Sequence, residues 1–364
     1  MQTKLGINVD EKSLPHCNAL RMYHGPVKKS LRDWQHTLLA GGVANVEIAR
    51  FVRALLAYRG PNQSRITLDH IHHWFRQWTL PATHGTVDVH WISKNRLGKH
   101  MKCLNSFSGT VLSIVPIMTA YAVAIIPAHG HTLSVHRQCM EKLCEMLSIF
   151  RMGAKSVLPH LARLRRVIAE HARLFITAYP DAARPKFHHL FHISDNVEFV
   201  GALLSCFTAE RKHKDTKSVA TYMFRHIDNT VIDDLVAQQC DAMVDNANIL
   251  KMSYQVDPAQ MSLPGGAQLL RSSKCVLPCS EVGKKDIVWL KDDSVGEVVS
   301  FWASSTNADD IKAELSMYEA AGGDAYTATG QKRFADALSI AEPLVYRMHD
   351  DDADTIVVIR PLSI

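Results

Sequence analysis

The densest chemistry in the chain lies in 184–217, RPKFHHLFHISDNVEFVGALLSCFTAERKHKDTK. His188, His189 and His192 come first, and an apolar segment from Val197 to Phe207 follows. Glu210 then stands inside the basic run Arg211, Lys212, His213, Lys214 and Lys217. A carboxylate that ends an apolar segment beside a cationic cluster suits a site for phosphate or a divalent metal. The same pattern also describes a helix that leaves a core and meets water. His188 and His192 are spaced i, i+4 and would share a helix face, where they could hold Zn²⁺ with a remote ligand such as Glu210. The string H-H-x-x-H is not a metallopeptidase pattern, because His189 stands where the general-base glutamate would be.

The second candidate is Asp33-Trp34-Gln35-His36, an acid at an element boundary beside an aromatic and a histidine. Two-metal phosphoryl transfer joins carboxylates from distant parts of a chain across divalent ions about 3.5–4 Å apart. Asp33 and Glu210 are the acids best suited to that role as Mg²⁺ ligands, with His36 or His213 orienting water or phosphate. The plainer alternative is that each acid is a helix N-cap or one half of a surface ion pair. Arg163, Arg165 and Arg166, together with Arg211, Lys212, Lys214 and Lys217, form the cationic set that could contact nucleic-acid phosphates.

The elements that must position these residues follow from periodicity. Val43, Val46, Ile48, Phe51, Val52, Leu55 and Leu56 recur at helical spacing, with Asp33 at or just before the start of helical structure and Gly41-Gly42 as a local weakness. Further helices are expected over Thr67–Leu80, Leu133–Phe150, Ser156–Tyr179 (with Pro180 ending it) and Lys217–Met252. In the Thr67–Leu80 segment only His70 and His73 could share a face, and they read as surface histidines. Between Lys102 and Arg137 there is no Asp, Glu, Lys or Arg. That segment contains Pro116 and is short for a membrane span, which needs about 20 apolar residues, so a buried core helix is expected and no membrane partner.

Beyond the linker-like DPAQMSLPGG (Asp257–Gly266) the period becomes two. Asp286–Leu290, Val295–Trp302, Ile311–Tyr318, Pro343–Met348 and Thr355–Ile359 read as short strands separated by turns. They predict a small β-barrel, similar in architecture to SH3-like or BAH-like modules. Trp289, Phe301, Trp302 and Tyr318 could line a peptide cage there or fill the barrel core.

The whole chain bounds these readings. Its 364 residues permit two or three domains, and 47% hydrophobic content is that of an ordinary globular protein. A net charge of +5 allows nucleic-acid binding without requiring it. Eight cysteines include no C-x-x-C pair, which disfavours a zinc ribbon and favours reduced thiols in an intracellular protein. The N-terminus lacks the apolar core of a secretory signal.

Two stretches carry a family resemblance. D-x-x-H at Asp33–His36, followed by Gly41-Gly42-Val43-Ala44-Asn45-Val46-Glu47, resembles the D(2)H block of DDE transposases of the CACTA (En/Spm) group. The stretch from Pro185 to Lys217 is similar to the later block of such proteins, in which P-K-x-H-x-x-x-H leads to an F-x-x-E-R-x-H-K-type end. The likeness covers roughly residues 1 to 250. It implies an RNase H-like core with a helical insertion, Mg²⁺-dependent DNA cleavage and joining, and a nuclear location. The strands of that core are not evident before Asp33, where Asp10 is the one plausible acid, so the chain looks like the C-terminal part of a transposase joined to a β-domain.

The expected architecture is therefore α+β. It has a helical, transposase-derived region over 1–254 (a partial RNase H-like core), a linker over 255–272, and a small β-barrel over 273–364. The expected function is DNA binding without complete strand transfer. The alternatives are a Mg²⁺-dependent nuclease using Asp33 and Glu210, and a non-enzymatic scaffold whose β-domain binds chromatin or another protein.

Overall fold

A computed structural model of the protein describes residues 33–59, 65–82, 88–152, 156–204, 251–252, 269–277, 281–304, 307–349, 352 and 354–359. Glu210, Arg211, Lys212, His213, Lys214 and Lys217, the expected helix up to residue 250, the linker-like Asp257–Gly266 and Asp10 lie outside them. The architecture is α+β, in two compact units; residues 77–82 belong with the second.

The helical unit is built on α1 (Trp34–Leu38), α2 (Val43–Ala57), α3 (Leu68–Arg76), α4 (Ser108–Ile125), α5 (Ser134–Arg151), α6 (Leu161–Ala178) and α7 (Pro185–Val200). Helix α2 is its centre: ten of its residues, Val43 to Ile48 without a break, are buried. A helix that is apolar nearly all round belongs inside a core. The reversal between α1 and α2 is so tight that a Cβ on Gly42 would lie 2.3 Å from the Thr37 carbonyl oxygen and 2.5 Å from the Leu38 carbonyl carbon. Only glycine fits there, and the glycine pair splits the expected helix into two.

Helix α4 is the one described helix long and apolar enough to cross a bilayer, and half of its span is buried against the rest of the protein. Its Thr119 hydroxyl donates to the carbonyls of Val115, at 2.8 Å, and Met140, at 3.3 Å, the latter on α5. The Trp74 indole on α3 donates to its Ile117 carbonyl. Helix α7 begins at Pro185, whose fixed φ suits a first helical turn. It stops at Gly201, which adopts φ 72°. It thus carries the three histidines, and ends inside the segment Val197–Phe207 that the sequence suggested as apolar and helical.

The second unit is antiparallel sheet. Strand β1 is Lys251–Met252, β2 Leu269–Ser272, β3 Lys274–Val276, β4 Glu281–Gly283, β5 Ile287–Leu290 and β6 Val295–Ser304. Then come β7 (Asn307–Gly322), β8 (Ala325–Asp336), β9 (Ile340–Pro343), β10 (Val345–Met348) and β11 (Thr355–Ile359). The small sheet runs β1-β3-β4, so Lys251 and Met252, expected to end a helix, are strand instead. The large sheet runs β10-β11-β8-β7-β6-β5-β9, with β2 also on β6.

The expected barrel does not form: this sheet is not closed. Its two ends, β9 and β10, are separated in sequence by Leu344 alone. A one-residue link cannot make the two-residue turn of a tight hairpin, and the two strands lie at opposite ends of the strand order. Leu344 donates its N–H to the Ile287 carbonyl. The outer edge of β10 is met by residue 79: Thr79 N–H donates to the Tyr346 carbonyl at 2.6 Å, and Tyr346 N–H to the Thr79 carbonyl at 3.1 Å.

Two buried clusters hold the sheet unit. One contains Val288, Leu290, Val298, Phe301, Ala313 and Leu315. The other contains Ile287, Val295, Tyr326, Leu344, Ile356 and Val358, with Trp289 and Tyr318 packed against it. Phe301 thus lies apart from Trp289 and Tyr318, and Trp302 stacks under the Arg271 guanidinium, 5.0 Å from its ring centre. Trp289 and Tyr318 share one cluster, while Phe301 and Trp302 serve other contacts, so the four do not gather into one cage.

Candidate functional site

Asp33 caps α1. Its carboxylate accepts from the His36 N–H at 2.9 Å and the Gln35 N–H at 3.3 Å, one through each oxygen. The His36 imidazole Nδ1 lies 2.7 Å from the same carboxylate. A β-region residue accepting from the second and third helical N–H groups is the N-cap arrangement. Both carboxylate oxygens therefore face the helix end.

Lys186, in the first turn of α7, reaches back to that element. Its ammonium donates to the carbonyls of His36, at 2.9 Å, and Ala40, at 2.7 Å. Burial pulls its pKa below the usual lysine range. The two sequence blocks, far apart along the chain, thus meet at one point.

His188 and His192 face each other on α7, with Nε2 atoms 2.9 Å apart and rings edge-on. The i, i+4 spacing does what the helix period dictates. Among the described residues, no third ligand-type side chain joins them in a metal-sized group. His72, by contrast, meets the Ile92 carbonyl through Nε2 at 2.7 Å.

The arginines do not make one cationic face. Arg163 is paired with Glu145, joining α6 to α5. Arg165 is paired with Glu198 at 2.5 Å and Asp195 at 3.5 Å on α7. Arg166 and Arg173, i and i+7 on α6, are exposed.

The group that spacing did not reveal lies in the core. Glu47 on α2 and His171 on α6 are both fully buried, with Glu47 Oε2 2.6 Å from His171 Nε2. Cys139, on α5, is equally buried, and one donor atom from each of the three lies within 4.8 Å of the other two. Burial pushes the Cys139 thiol well up, and the charge and hydrogen bond of Glu47 push it further. The Tyr179 hydroxyl is pushed up by burial and then by Glu47 and Cys139, and His136 is pulled down by burial against the pull of Glu47. Glu47 Oε1, His171 Nδ1, His136 Nδ1 and the Tyr179 hydroxyl are buried without a hydrogen-bond partner. A thiol held protonated and out of reach of solvent is no nucleophile. Three different donor types converging in an apolar core are instead a place that could hold a metal ion.

One signal for this group was in the sequence. Glu47 stands between Val46 and Ile48, with Val43, Ala44 and Phe51 one turn away, a largely apolar setting in which an unpaired carboxylate is costly. Cys139 and His171 gave none, since each occupies a place in an apolar helical stripe. No protein-family model matches the chain, and no curated protein matches it either.

Proposed function

We propose that the chain is a transposase-derived DNA-binding protein without complete strand-transfer activity. One observation carries the reading: Lys186, in the P-K-x-H-x-x-x-H start of the later block, is hydrogen-bonded to His36 and Ala40 of the D-x-x-H block. Residues that serve one site are brought together by folding, and these two blocks are. The cap role of Asp33 supports the second half of the proposal, since its carboxylate oxygens are already engaged. Phosphate contacts fall to Arg166 on α6 and to the run Arg211, Lys212, Lys214 and Lys217. Arg163 and Arg165 have internal carboxylate partners and contribute less.

The test is a salt titration of duplex-DNA affinity by fluorescence anisotropy, with a Mg²⁺-dependent nicking assay on supercoiled DNA alongside. Removing one phosphate-binding cation should lower the slope of log affinity against log salt by about 0.9. Replacing Arg211, Lys212 and Lys214 together with alanine should flatten it by about 2–3. Salt-independent binding refutes the phosphate contacts. Nicking abolished by both Asp33→Asn and Glu210→Gln replaces the proposal with a working Mg²⁺ nuclease.

A further inference from the structure

We infer that Glu47, Cys139 and His171 form a structural zinc site that ties α2, α5 and α6 together in the core of the helical unit. The donors are one carboxylate oxygen, one sulfur and one imidazole nitrogen, each from a different helix, all completely buried and within 4.8 Å of one another. A tetrahedral Zn²⁺ with bonds of about 2.0–2.3 Å spaces its ligands about 3.3–3.8 Å apart. Glu47 Oε2 and His171 Nε2 are hydrogen-bonded at 2.6 Å, so an ion held by those two atoms would take the place of the shared proton and open that edge to the tetrahedral spacing.

Charge argues for a divalent ion. Metal binding displaces the Cys139 proton, and the resulting carboxylate and thiolate with a neutral imidazole carry two negative charges, which Zn²⁺ cancels in a core where uncancelled charge is strongly disfavoured. Donor chemistry selects the metal. Thiolate and imidazole suit Zn²⁺, whereas Mg²⁺ takes oxygen ligands and keeps its waters. This site is therefore separate from any Mg²⁺ held by Asp33. The partnerless atoms point the same way, because Glu47 Oε1 and His171 Nδ1 are buried polar groups without a protein partner, and such groups call for an explanation.

The experiment measures zinc in the purified full chain by mass spectrometry after dialysis, and its shell by X-ray absorption. The expected result is one zinc per chain with one sulfur and the remaining ligands nitrogen or oxygen. Cys139→Ser should lose the ion, while Cys144→Ser, a buried cysteine on the same helix, should keep it. Absence of zinc from the wild-type chain after incubation with Zn²⁺ overturns the site. So does a shell with no sulfur or with two or more, or retention of the ion by Cys139→Ser. If Cys139→Ser does not fold, the wild-type spectrum and the Cys144→Ser control decide.

Discussion

Glu314, on β7, offers the clearest quantitative test of the sheet unit. Its carboxylate is nearly buried and takes three donors: Ser300 Oγ at 2.7 Å and Trp302 Nε1 at 3.1 Å on one oxygen, Lys332 Nζ at 2.9 Å on the other. Burial pushes its pKa up, but the bonds from Lys332, Ser300 and Trp302 outweigh it and bring the group from 4.5 down to about 2. At about 1.4 kcal/mol per pKa unit the network contributes about 2–3 kcal/mol at neutral pH, once the exposure of Lys332 is allowed for. The sign follows from the depressed pKa. The contribution is complete above the unfolded value of 4.5 and is lost as pH falls through the folded value of about 2. Glu314→Gln keeps the size but turns one oxygen into a donor that faces a donor. It should lower stability at pH 7 by about 2 kcal/mol and remove this part of the acid slope between pH 4.5 and 2. The assay is urea unfolding at pH 7, 4 and 3, read by deuterium uptake of peptides from β6 and β7, so that the helical unit does not enter the signal. A variant as stable as wild type at pH 7, or one with the wild-type acid slope in those peptides, refutes the reasoning.

Two further substitutions probe the backbone. Gly42→Ala drives a Cβ into the carbonyls of Thr37 and Leu38 and should cost about 3 kcal/mol or more; Gly41→Ala, at φ +57° with open space around it, should cost about 1–2 kcal/mol. The reverse order in thermal melts of the two variants would show that the tight reversal is misplaced. Asp286 accepts from the Ala82 N–H and the Gly283 N–H, each at 2.7 Å, so Asp286→Ala leaves two donors without an acceptor and should destabilise the sheet unit by about 2–4 kcal/mol. Faster exchange of the Ala82 amide is the expected accompaniment, and an unchanged rate there would contradict the hydrogen bond.

What the chain makes legible is whatever has a strict period. Helices α2, α5 and α6, and strands β5 to β7, β10 and β11, fall where their apolar spacing puts them. Strand β8 carries no such signal: Thr329–Arg333, TGQKR, shows no alternation, and its residues are largely exposed as it runs beside β7. The open sheet is equally hidden. Its two end strands, β9 and β10, are parted by Leu344 alone, inside a stretch, Pro343–Met348, that reads as one continuous strand. Asp33 is legible as a boundary residue because capping is local, with acceptor and donors within three positions. The Glu47–Cys139–His171 group is not, since its members are joined only by the packing of three helices.

That contrast bears on how motif residues should be weighed. In the block Asp33–Glu47, the residues that look catalytic, Asp33 and His36, are bonded to one another and to the start of a five-residue helix. The residue that looks like filler, Glu47, is the one whose environment is chemically unusual. Gly42 explains why both sit on one short segment. With a Cβ at that position, α1 could not fold back closely enough for Lys186 to reach the carbonyls of His36 and Ala40, nor would α2 enter the core at the angle that buries Glu47 beside His171. A block held in place by such steric demands persists through any loss of activity, because its glycine and its buried acid answer to folding. The resemblance of this block to a transposase motif therefore does not by itself speak to activity, whereas zinc content and salt-dependent DNA affinity would measure what the chain does.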